Sequence, residues 1–191
     1  MAASISLRSY LLVTTASVSR ASVTLAFPDI SLQHTWYLDE LPFAAFQHEA
    51  KAKRFDEQVS VLDTDLVAAI QPHVANVSTQ LPAKARHQHH AAASCFLYLL
   101  LSLGSAGMSS CVYSLRSTIP IGAGLGSSAS ISVCIAAALL MQSSHISGPS
   151  ASTSSSQAER TLDIINFWAF VGELCIPVSY THLTLPTKRI V

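Results

Sequence analysis

The sequence predicts an α+β fold, and three observations carry that expectation. The early chain alternates apolar and polar residues over Ile5–Thr15, Ala21–Phe27 and Leu32–Tyr37, the period of half-buried strands. The later chain holds apolar stretches of helical length at Ala91–Leu103, Ile131–Met141 and Ala158–Cys175. Between them an apolar, β-branched run, Val112–Ile119, leads into a glycine-rich turn. A mixed or antiparallel sheet packed against helices at Ala91, Ser128 and Ala158 accommodates all three.

The elements follow in order. The strand over Ile5–Thr15 is expected first, and the strand over Ala21–Phe27 runs antiparallel to it and ends at Pro28. In the third strand, Leu32–Tyr37, His34 and Trp36 share a face and are read as packing residues. Asp39–Phe46 suits a short helical turn. A helix over Asp63–Val74 is expected from the spacing of Leu66, Val67, Ile70 and Val74, with Ser60 or Asp63 as its cap. His87-Gln88-His89-His90 reads as the polar first turn of the Ala91–Leu103 helix. Metal binding is the lesser reading there, because no carboxylate lies near in sequence. Gly104 and Gly107 close that helix. His145–Gln157, rich in serine, is expected as a surface loop before the helix over Ala158–Cys175. Leu162, Ile165, Ala169 and Gly172 form its buried stripe. Glu173, eight residues beyond Ile165, lies about 80° round the axis and borders that stripe.

Composition bounds the function classes. With 191 residues the chain fits one domain, and 50% apolar with 12% charged residues marks a globular chain. Eleven basic residues balance eleven acidic ones, which offers nothing to nucleic acid. Cys95, Cys111, Cys134 and Cys175 lack Cys-x-x-Cys spacing and read as reduced core residues. Arg8 interrupts the N-terminal apolar pattern, arguing against a signal peptide, and no apolar run reaches the roughly 18 residues of a membrane span. A cytoplasmic chain with no membrane partner is expected.

The stretch that promises chemistry is Ser117-Thr118-Ile119-Pro120-Ile121-Gly122-Ala123-Gly124-Leu125-Gly126-Ser127-Ser128-Ala129. Pro120 ends the approaching strand, and three alternate glycines permit a tight path with positive φ. Ser127 and Ser128 stand where the next helix begins. A glycine loop opening onto a helix N-terminus binds anions, because unpaired N–H groups and the helix dipole both favour negative charge. The serine hydroxyls are small enough to reach a phosphate or Mg2+. It is not a Walker A loop, since no lysine follows the glycines, nor the dinucleotide fingerprint, since Ser127 replaces its third glycine.

The string Pro-x-Gly-Ala-Gly-Leu-Gly-Ser-Ser-Ala resembles the phosphate-binding loop of the kinase superfamily named for galactokinase, homoserine kinase, mevalonate kinase and phosphomevalonate kinase. Phe27-Pro28-Asp29-Ile30, His34-Thr35-Trp36, Phe96-Leu97-Tyr98-Leu99 and Phe167-Trp168-Ala169-Phe170 resemble its eukaryotic, fungal mevalonate kinase branch. The likeness runs from Ala3 to Ile176. It implies a ribosomal protein S5 domain 2-like fold and transfer of the γ-phosphoryl of ATP to the 5-hydroxyl of mevalonate, a step of isoprenoid and sterol synthesis. It further implies ATP binding by Ser117, Gly122, Ala123, Gly124, Leu125, Gly126, Ser127 and Ser128. Mg2+ would be held by Ser128 and Glu173, and the intact protein could form a homodimer.

The resemblance also sets expectations about extent. Residues 1–177 match part of the N-terminal, ATP-binding domain, whereas 178–191 break from the family and look like a translated sequencing adapter. The family's catalytic Asp is expected beyond Glu173 and its Lys before Met1, so the chain itself is expected to turn over little. Another small-molecule kinase of the superfamily, or a non-catalytic nucleotide-binding fragment, stays open at this point.

Overall fold

The computed structural model describes residues 6–46, 62–148 and 154–176. Ile5, Ser60 and the 178–191 stretch therefore lie outside the described residues, as do 149–153 of the serine-rich loop. The strands are β1 (Ser9–Thr15), β2 (Ser22–Phe27), β3 (Leu32–Tyr37) and β4 (Cys111–Ser117). The helices are α1 (Thr64–Ala75), α2 (Ala83–Leu103), α3 (Ser127–Gln142) and α4 (Ser155–Leu174). Short 3-10 turns occupy Pro28–Ile30, Leu38–Glu40 and Phe43–Phe46. The α+β expectation holds.

The described strands form one mixed sheet in the order β1-β4-β2-β3. β1 pairs antiparallel with β4, β4 parallel with β2, and β2 antiparallel with β3. β1 and β2 do run in opposite directions, but they are not neighbours. The late strand β4 inserts between them, pairing Val13 with Tyr113 on one side and Leu25 with Tyr113 on the other. Alternation makes this sheet one-sided. Val23, Leu25, Phe27, Cys111, Tyr113 and Leu115 all point into the core, whereas Thr24 and Thr35 meet hydroxyl to hydroxyl at 2.7 Å on the outer face.

α2 lies against the inner face and is buried on every side from Ala93 to Leu101, which removes any amphipathic stripe from its sequence. Its Phe96 ring stands 5.0 Å from Tyr113 and 5.8 Å from Trp36, tying helix, sheet centre and sheet edge into one aromatic cluster. The helix starts at Ala83, two turns before the expected apolar start. Ala83-Lys84-Ala85-Arg86 are good helix formers and carry it into solvent. The histidines consequently fall inside the helix and not in its first turn.

Asp63 caps α1, accepting from the N–H groups of Asp65 and Leu66 at 3.1 Å. α4 begins at Ser155, three residues earlier than expected, because Ser154 accepts from the Gln157 N–H at 3.3 Å. Leu162 departs from the expected buried stripe and is 57% exposed. The first half of α4 overhangs the core, and full burial begins only at Trp168. Gly172 marks the closest approach to α2. A Cβ there would stand 2.9 Å from Leu99 Cδ1 and 3.1 Å from Cys95 Sγ. All four cysteines are free thiols. Among the described residues no helix is long and apolar enough to cross a membrane.

Candidate phosphate-binding site

The site begins where β4 ends. The Ser117 N–H donates to Asp29 Oδ2 at 2.7 Å, and the Ser117 hydroxyl pairs with Ser9 Oγ at 3.0 Å. Thr118 locks onto Arg8, its Oγ1 accepting from the Arg8 N–H at 2.8 Å and its own N–H donating to the Arg8 carbonyl at 2.8 Å. The start of the glycine loop is thereby fixed to both β1 and the Pro28–Ile30 turn.

From there Gly122, Gly124 and Gly126 each adopt left-handed backbone angles, with φ of 79°, 71° and 76°. Nothing lies within 4 Å of where their Cβ atoms would stand, so the positive φ requires glycine and not a shortage of space. Gly126 is the N-cap of α3 and offers no side-chain oxygen to the first N–H groups of that helix. Those donors have no side-chain cap. Within the first turn of α3, the Ser128 hydroxyl donates to Glu173 Oε1 at 2.8 Å, although Glu173 lies in the last turn of α4.

The loop forms one wall of a cavity of about 440 Å3. That is within the range of small-molecule sites. Phe27, Ile30 and Leu115 supply an apolar wall from the sheet side. Ile131, Ile135 and Ile176 supply another, while His87 and Gln88 of α2 stand at the exposed rim. Cys95 lines the cavity too, and burial pushes its thiol up to about 11, so it stays neutral and unreactive. No Lys, Arg or Asp is among the described residues lining the cavity, and the α3 N-terminus contributes positive potential there.

The structure brings Gly122, Gly124, Gly126, Ser127 and Ser128 to the cavity, with Glu173 reached through Ser128. Ala123 and Leu125, which alternate with the glycines, are exposed and do not line it. Ser117 does not line it either; its hydroxyl is engaged by Ser9 and by the backbone of Ile119. Sequence reasoning missed His87, Gln88 and the Ala91-Ala92 pair as cavity residues. A helix read as uniformly apolar gives no sign of which side meets a void. It also missed Asp29, although Phe27-Pro28-Asp29-Ile30 had stood out as a motif.

Magnesium fits the donor set. A hydroxyl and a carboxylate oxygen within 2.8 Å of each other are hard ligands beside a phosphate cradle, and Mg2+ ordinarily takes its remaining ligands from phosphates and waters. Among the described residues no group of three His, Cys, Asp or Glu side chains is poised to hold a metal ion.

The family model described as the GHMP kinases N terminal domain matches residues 90–161, which run from within α2 through β4, the glycine loop and α3 into the start of α4. The chain is 55% identical to the mevalonate kinase of Gibberella zeae over 92% of its length, covering 35% of that protein. It is likewise 55% identical to the mevalonate kinase of Aspergillus fumigatus over 92% of its length, covering 32% of that protein. The human mevalonate kinase is 31% identical over 92% of the chain, which covers 42% of that protein. The chain spans about a third of the length of the fungal relatives it matches.

Proposed function

The chain belongs to the GHMP kinase family, and from that premise we propose that residues 122–128 hold the phosphates of ATP. We propose further that the whole protein transfers the γ-phosphoryl group to the 5-hydroxyl of mevalonate. The observation that carries the first part is the run of three left-handed glycines opening onto the α3 N-terminus, with Ser128 and Glu173 joined beside it. The names of the relatives, mevalonate kinases at 55% identity, support the second.

Phosphoryl transfer asks a protein mainly to position reactants and to stabilise charge. In this reading the loop N–H groups bind and orient the phosphates, and the α3 dipole offsets their negative charge. Ser128 Oγ and Glu173 Oε1 would hold Mg2+, which supplies charge neutralisation across the phosphate oxygens when bound. Ser127, one residue earlier in the cavity lining, would give a further phosphate donor. The apolar walls at Phe27, Ile30 and Leu115 suit the flat base of the nucleotide and keep water from it. Ser117 acts one step back, fixing the loop's entry through Asp29 and Ser9. The group that takes the acceptor hydroxyl's proton would be an Asp contributed from beyond Glu173.

A segment exchange tests this reading. The aligned segment of the Gibberella zeae mevalonate kinase is replaced by the matching part of this chain, and ADP release is followed with ATP and mevalonate. Mevalonate-dependent release at a rate within about tenfold of the parent supports the proposal. A folded chimera that releases ADP only with a different acceptor, or with none, contradicts it.

A further inference from the structure

In the His87-Gln88-His89-His90 run, His87 and Gln88 stand at the cavity rim, whereas both ring nitrogens of His89 and Nε2 of His90 are hydrogen-bonded to other segments. His89 is 1% exposed, with Nε2 2.7 Å from the Ile30 carbonyl oxygen and Nδ1 2.7 Å from Ser78 Oγ. A carbonyl can only accept, so Nε2 carries the hydrogen, and in the neutral ring Nδ1 accepts from the Ser78 hydroxyl. His90 Nε2 donates in turn to the Val77 carbonyl at 3.0 Å. Both segments that His89 holds contain a left-handed residue other than glycine, Ser31 with φ 57° and Ser78 with φ 54°. Such residues persist only where the surroundings hold them.

The Pro28–Ile30 turn is therefore gripped twice. Residue 30 is tied to α2 by His89. Residue 29 is tied to the end of β4, where Asp29 accepts from the Ser117 N–H at 2.7 Å and from Arg116 Nη1 at 3.1 Å. The same turn places Ile30 in the lining of the cavity, to which α2 contributes Ala92 and Cys95, with Gln88 at the rim. The His89–Ile30 bond thus fixes the Ile30 side of the lining to α2, and Asp29 links it to the strand that delivers the glycine loop.

We propose that His89 is a positioning residue for the nucleotide cavity: it touches no ligand, but holds the Ile30 wall at the spacing that an ATP base and ribose require. This rests on the nucleotide reading given above. The ring supplies what a lone apolar contact could not, a directed donor to one wall and an acceptor anchored to a third segment.

The test uses the 191-residue chain with His89→Leu, His89→Gln, His89→Asn and Ser78→Ala. ATP affinity in the presence of Mg2+ is measured by calorimetry, and the thermal midpoint separately by circular dichroism. Gln can place an amide N–H near the Nε2 position and reach Ile30, whereas Asn mimics Nδ1 and is too short, and Leu offers neither. His89→Leu is expected to weaken ATP by about tenfold or more, with His89→Gln restored to within about threefold of the original chain. Ser78→Ala is expected to lower the midpoint while shifting ATP affinity by less than about twofold. If His89→Leu does not fold, the Gln and Asn pair decides, and tighter ATP binding by Gln is the expected result. Equal ATP affinity in Gln and Asn, or losses of affinity that simply follow the midpoint in all variants, would overturn the positioning role and leave a structural one. If the unaltered folded chain binds no ATP, the nucleotide reading itself falls. If that chain binds ATP and a folded His89→Leu binds it equally well, the positioning role alone falls.

Discussion

Ser128 Oγ donates to Glu173 Oε1 across 2.8 Å, joining the first turn of α3 to the last turn of α4. The two residues are 45 positions apart, and only the packing of α3 against α4 makes them a pair. Ser128→Ala and Glu173→Gln should each weaken binding of ATP with Mg2+ by about tenfold to a hundredfold, the loss expected for a charge-assisted oxygen contact. Titrations repeated with chelator should show a much smaller difference between variants and parent. An equal loss with and without Mg2+ would mean that the pair supports the helices and not the ion.

Two glycines should respond to alanine for different reasons. Gly124 has φ 71° and open space around it, so Gly124→Ala stores only backbone strain of about 1–2 kcal/mol. Gly172 has no such angle, but a Cβ there would stand 2.9 Å from Leu99 and 3.1 Å from Cys95, and Gly172→Ala should cost about 1–3 kcal/mol through overpacking. Chemical denaturation measures both. The discriminating expectation is that Leu99→Ala rescues part of the Gly172→Ala loss and none of the Gly124→Ala loss.

Stability should fall in alkaline solution. Burial raises the Cys95 thiol from an ordinary 9.0 to about 11, and also raises Cys175 and Tyr113. A group whose folded pKa lies above its unfolded value stabilises the fold fully below the unfolded value, and loses that contribution as pH climbs through the folded one. The thermal midpoint is accordingly expected to drop between about pH 9 and 11, and to drop less steeply in Cys95→Ala. Equal slopes in both chains would show that Cys95 is not desolvated as the structure has it.

The cap of α1 gives a simpler expectation. Asp63 satisfies two backbone donors, so Asp63→Ala should destabilise the chain by about 1 kcal/mol and Asp63→Asn by much less. Urea midpoints report the difference.

Much of the fold was legible because its signals are local. Alternation marked β2 and β3, the apolar spacing marked α1, and the glycine spacing placed the turn into α3. What stayed hidden was non-local. No residue in Ser9–Phe27 announces that β4 will enter between β1 and β2, since strand pairing is decided by which faces find burial once the whole chain is assembled. The overhang that exposes Leu162 has the same cause: its spacing is helical, but no described residue buries it. In the site, the glycines and Ser128 stood out by type and spacing, and Glu173 by its place at the rim of a stripe. His89 did not, because a buried histidine and a metal-binding one look alike until their partners are seen. Neither Ser78 nor Ile30 is near His89 in sequence.

The most direct measurement is a titration of the 15N-labelled chain with ATP and Mg2+, followed amide by amide. Binding as described predicts saturable shifts concentrated in Gly122–Ala129, with smaller ones at Glu173 and along the rim at His87 and Gln88. A folded chain whose glycine-loop amides do not move, or whose shifts centre on a second cavity lined by Ser102, Gly104, Ser105 and Ser109, would contradict it.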